Sequence, residues 1–180
     1  MCQRVNLTKV NLPEEPFSDF LGELRKSHGN GGANLVAFDV AQDDVFDWFA
    51  SRNRLSDEGI VDSLLVHPVI RGSLADLGIP EFKVDSGLVP VDAFILDGRF
   101  ASCLHQGGAY WTTTGTGKKA KALAMNVCDS MFGMRYGEIS LLESSKAWAP
   151  WFKGIAWDMT EVIFDRRLRR LWIFALTDTD

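Results

Sequence analysis

The six residues Leu171-Trp172-Ile173-Phe174-Ala175-Leu176 constrain the fold of this chain more than any others. Successive side chains of a strand point to opposite faces of its sheet, so an unbroken apolar run is apolar on both. Such a strand belongs inside a sheet that is covered on each face, not at an edge with one wet side. It follows a second β-rich run, "AWDMTEVIFD", and the basic turn "RRLRR" joins the two. The pattern predicts a hairpin over about 156–177. A further hairpin is expected over about 90–106, where "VPVDAFIL" and "RFASCLHQ" flank Asp97-Gly98, a strong two-residue turn signal.

Helical spacing dominates elsewhere. Phe17, Phe20, Leu21 and Leu24 fall at i, i+3, i+4 and i+7. "ANLVAFDV" then reads as a short strand, and residues 43–52 as a helix with Asp43, Asp44 and Asp47 near its N-terminus. Those three carboxylates lie where the helix dipole favours negative charge, which explains them without a metal. A helix from Ser56 carries Val61, Leu64 and Leu65 and is broken at Pro68. Ala120, Leu123, Ala124, Val127 and Met131 form one face of a helix over about 116–132, closed by Gly133. The expected class is α+β. A mostly antiparallel sheet comes from the C-terminal half, and the N-terminal helices and the 116–132 helix pack over it. With 180 residues and neither repeat nor linker, 1–180 reads as a single globular domain able to bury a core unaided.

Composition excludes several functions. No apolar run approaches the ~18 residues of a membrane-spanning helix, so no membrane partner is expected. The stretch "MCQRVNLTKVNLPEEPF" has no apolar signal region. Cys2, Cys103 and Cys128 are an odd set without pairable spacing, which suits a reducing cytoplasm. Net charge is −5, with 9 Lys/Arg against 16 Asp/Glu in residues 1–100 and 10 against 8 in the remainder. An acidic first half repels a phosphate backbone, so no nucleic-acid partner is expected.

Catalytic motifs are weak. "GTGKK" at 115–119 evokes a phosphate loop, but Thr112 stands where the motif requires Gly, and Lys119 where it requires Ser or Thr. Thr116 is more simply a helix cap. Cys103 and His105 sit two apart on an expected strand and would share a face, the minimal thiol–base pair. Neighbours on one strand run parallel and seldom converge, however. His28, His67 and His105 form no close two-ligand motif. Folding could gather them with Asp158 or Asp178 into a metal site. No cofactor is expected.

Two features suit a binding surface. Arg166, Arg167, Arg169 and Arg170 make the only dense basic cluster, able to grip carboxylates bidentately. "KAWAPWFKGIAWD" (146–158) packs Trp148, Trp151, Phe152 and Trp157 into thirteen residues. Pro150 forbids a regular helix there, so the rings diverge. Trp157 is expected in the hairpin core, which leaves Trp148 and Trp151 as candidate binding residues.

In its size, acidity and Trp-rich C-terminal hairpin the chain is similar in style to bacterial toxin-neutralising immunity proteins. The absent catalytic signature, the charge split and the surface that the aromatic loop and arginine turn could form lead to the expectation of a non-enzymatic domain whose partner is another protein. The alternative is a small cytoplasmic enzyme using the Cys103/His105 pair or an Asp/His metal site.

Overall fold

The structure, a computed structural model, describes residues 5–110 and 115–180. Cys2 and residues 112–114 of the glycine-threonine run lie outside the described residues. The strands are β1 (Leu7–Val10), β2 (Gly32–Val40), β3 (Val89–Val91), β4 (Ile139–Ser144), β5 (Met159–Asp165) and β6 (Arg170–Thr177). The helices are α1 (Phe17–Ser27), α2 (Asp44–Ala50), α3 (Ile60–Leu65), α4 (Pro68–Ser73), α5 (Leu96–Gln106) and α6 (Gly117–Phe132). All six strands form one antiparallel sheet in the order β1-β2-β6-β5-β4-β3, and the fold is α+β.

β6 runs inside the sheet between β2 and β5, as its apolar run requires. Its alternation feeds two cores. Leu171, Ile173 and Ala175 join Phe38, Val162 and Phe164 on one face, beneath α2, α3, α4, Trp148 and Phe152. Trp172, Phe174 and Leu176 join Leu35, Leu141 and Ile163 on the other, beneath α1, α5 and α6. Burying each large apolar side chain stabilises by about 1.5–3 kcal/mol, so one strand supports both layers. The molecule is a sheet with helices on each face.

The expected hairpin over 90–106 is not there. β3 ends at Val91, Asp92 caps a single 3-10 turn over 93–95, and α5 follows directly. Leu96, Phe100, Cys103 and Leu104 recur at helical spacing and are all buried. Asp97 lies in the first turn, where the dipole favours it. Gly98 takes a helix-interior position at a cost of about 1 kcal/mol relative to Ala. Tertiary packing of the apolar stripe outweighs the Asp97-Gly98 turn signal.

The helices expected at residues 17–24 and 116–132 are present, the latter capped by the Thr116 hydroxyl, which accepts the Lys119 N–H at 3.3 Å. Pro68 ends α3 and opens α4 at its first turn, with the His67 imidazole as cap. Asp43 caps α2 by accepting the Phe46 N–H at 2.8 Å. β1 and β4 carried too little alternation to be read from sequence, and β3 keeps only the first three residues of the strand expected over "VPVDAFIL". Among the described residues, no helix is long and apolar enough to cross a membrane.

Candidate functional site

The strand order separates the two features that suggested one binding surface. The arginine turn lies at the Arg170 end of β6. Trp151 packs by Gly32, which pairs with Thr177 at the other end. Arg170 and Thr177 lie seven residues apart on β6, roughly 23 Å at strand rise. The aromatic loop and the arginine turn do not form a common face.

At the arginine end the turn is held by its own acid. Asp165 is fully buried, and its Oδ1 accepts the N–H groups of Arg167 and Leu168 at 2.9 Å each. Its other oxygen pairs with Arg135. Three of the four candidate arginines dock onto neighbouring elements. Arg166 donates from Nε to the Glu138 carbonyl at 3.1 Å and from Nη2 to the Gly137 carbonyl. Arg169 donates to the carbonyls of Val40 and Ala41 and pairs with Asp47. Arg170 meets Asp39 at 2.9 Å. Arg167, with its side chain 67 % exposed, keeps among the described residues only a 3.5 Å contact with Glu138.

Beside this turn is a groove that the sequence reading missed. It encloses about 480 Å³ between the β3–α5 connection, the 136–138 turn and Arg166, with Asn53 at its margin. Phe94 is 68 % exposed, and its N–H donates to the Asp92 carboxylate at 3.0 Å. Its ring stacks on Tyr136 at 5.1 Å and 16°, and Tyr136 in turn meets Phe132 of α6 edge-on at 4.9 Å. Burial first, then the charges of Cys128, Asp97 and Asp129, push the Tyr136 phenol up to about 12, so it is a neutral hydroxyl. Val89, on the edge strand, is also exposed. The arrangement is a stacked aromatic pair, Phe94 exposed and Tyr136 partly buried, with Arg166 among the groups that line the groove.

At the opposite end the acids are saturated. Asp158 is buried and accepts N–H groups from Lys153, Gly154 and Ile155 and the Thr177 hydroxyl. Asp178 is buried and accepts the N–H groups of Asn30 at 3.1 Å and Ala109 at 2.7 Å. Both tie loops to the end of β6. Among the described residues no three His, Cys, Asp or Glu side chains gather as a metal would require. His28 is buried, with Nδ1 against the Leu24 carbonyl, and burial lowers its pKa; the same cause lowers that of His67. Trp148 is buried, and its indole N–H donates to the Thr160 hydroxyl at 2.8 Å, which removes it from any surface. Trp151 is half-buried in a polar groove lined also by Arg25, His28 and Asp76. Trp157 is half-buried in the turn before β5 and belongs to neither core, contrary to expectation.

Cys103 and His105 do not share a face. They lie on α5, where residues two apart diverge by about 200°; Cys103 is buried and His105 exposed. Burial, then the Glu161 charge, push the Cys103 thiol up to about 12, so it carries no thiolate at neutral pH.

The most perturbed carboxyl is one the sequence reading passed over. Glu161 is fully buried in β5 and accepts from Arg99 Nε of α5 at 2.6 Å. Burial holds its carboxyl up at about 7, with Arg99 opposing and Glu143 reinforcing the shift. Its signal was available: Glu161 shares strand parity with Met159 and Ile163, a core-facing row. Comparison with protein-family models, curated proteins and solved structures returned no match.

Proposed function

We propose that this chain is a non-enzymatic domain that binds another protein, and that the Phe94–Tyr136 groove is the surface it uses. The observation that carries this reading is Phe94, a large ring left 68 % exposed although its backbone is capped and its face is stacked. A side chain so held loses little conformational entropy on binding. Aromatic and arginine residues dominate interface energetics, and Arg166 lines the groove while Arg167 extends from the same turn. The occupant is a protein segment that sets an apolar side chain against Phe94 and a carboxylate near Arg167.

An immunity-type role, in which a toxin is neutralised by being covered, is the specific form of this reading, set in the cytoplasm. The free thiols of Cys103 and Cys128 support that compartment. The unreactive Cys103 favours a binder over a thiol enzyme.

The test compares wild type with Phe94→Ala in co-purification, followed by reconstitution from the two pure proteins. The reading expects a stoichiometric complex that Phe94→Ala weakens at least tenfold. A complex retained at full affinity by Phe94→Ala would overturn the assignment of the groove.

A further inference from the structure

β4 and β5 place two glutamates directly opposite each other. Glu143 and Glu161 are paired in register, so their side chains leave the sheet side by side on one face, beneath α5. Like charges at such positions repel. One guanidinium serves both: Arg99 Nε donates to Glu161 Oε1 at 2.6 Å, and its Nη1 pairs with Glu143. Glu161 is completely buried, and among the described residues its second oxygen, Oε2, has no hydrogen-bond partner; Glu143 Oε2 has its ion pair with Arg99 but likewise no hydrogen bond. A buried, ionised carboxylate with an orphaned oxygen is costly. A proton on Glu161 removes both the repulsion and the charge left on the orphaned oxygen.

The other groups that face Glu161 do not compete for this role. α5 supplies Arg99, which is already paired with both glutamates, and Cys103, whose thiol contacts Met159 Sδ at 3.6 Å. β4 supplies Glu143, and β6 places Phe174 opposite. α5 begins one residue after the 3-10 turn that carries Phe94, and Arg99 lies on its first turns.

We propose that Glu161, Glu143 and Arg99 form a proton-binding site under α5, through which pH governs how firmly α5 and the Phe94 surface are held. This rests on the binding reading for its functional meaning, because Phe94 is the residue presented. The direction follows from linkage. Opening of α5 returns Glu161 to water and to the ordinary carboxylate range. Between that range and about 7, the closed state holds a proton that the open state lacks. Closure therefore weakens as pH rises through this window and changes no further above it.

The experiment is amide hydrogen exchange on the full chain at pH 6 and pH 8, corrected for intrinsic rates, with the Glu161 carboxyl carbon titrated by NMR. Wild type is expected to lose about tenfold protection over 96–106 between the two, the linkage factor for one proton released near neutrality. Glu161→Gln, which keeps the shape and fixes the neutral state, is expected to lose none. Should that variant not fold, Glu143→Gln carries the test, because losing the repulsion lowers the Glu161 midpoint and moves the window down. Equal protection at both pH values in wild type would overturn the proposal. So would a tenfold change that persists in Glu161→Gln, or a Glu161 carboxyl titrating among ordinary carboxylates. None of these readouts uses a partner. If α5 responds to pH while Phe94→Ala leaves the complex intact, the binding reading fails and the proton site stands. A Phe94-dependent complex without the pH response sinks the proton site alone.

Discussion

At the Thr177 end of β6, Asp158 and Asp178 are buried under backbone N–H donors, and Trp148, in the loop leading there, donates its indole N–H to the Thr160 hydroxyl. At the Arg170 end, Phe94, stacked on the partly buried Tyr136, faces water beside a turn with one arginine extended from it. The two ends draw on the same residue classes, aromatic and charged. What separates them is whether the polar atoms and ring faces are satisfied within the fold. Saturated groups hold loops in place; a held ring with an open face is free to meet something else. Residue type alone does not make that distinction, which is why the tryptophans looked more promising than the phenylalanine.

Substitutions that break this contrast differ in size. Trp148→Ala empties a large site in the core between β5 and the loop, and is expected to cost about 3–5 kcal/mol in urea denaturation. Asp158→Ala leaves the buried Thr177 hydroxyl and three part-buried N–H groups without their acceptor and is expected to cost about 1–3 kcal/mol in the same assay. A loss under about 1 kcal/mol in either would mean that this end is not the saturated one.

Gly98→Ala probes α5 with the opposite sign. A methyl group at Gly98 meets no atom within 4 Å, so in a helix it is expected to stabilise by about 0.5–1 kcal/mol. Were Asp97-Gly98 a hairpin turn with positive φ, the same change would destabilise, and chemical denaturation reads the sign directly.

The sequence was legible where one pattern had no rival. The continuous run Leu171–Leu176 could only be an interior strand, and the Ala120–Met131 stripe had a cap before it and Gly133 after it. Residues 90–106 offered two patterns at once, and a local turn signal hid the spacing of Leu96, Phe100 and Leu104. The groove was not legible. Phe94, Tyr136 and Arg166 are far apart in the chain, and only the neighbouring of β3, β4 and β5 brings them together. Glu161 lies between these cases, since its parity along β5 pointed inward although nothing in the sequence named Arg99 as its partner. The arginine cluster was visible, but its partners Asp39, Asp47 and Glu138 come from other elements.

The smallest expected effect on stability belongs to the residue that matters most for binding. Phe94→Ala removes an exposed ring and is expected to change stability by under about 0.5 kcal/mol. The most direct test measures two quantities on that one variant: its melting temperature, and the dissociation constant of its complex with the co-purified partner, rebuilt from pure components. A binding surface at the groove predicts a melting temperature within about 2 °C of wild type and affinity weakened at least tenfold. A melting temperature lower by many degrees, or an unchanged dissociation constant, would contradict it.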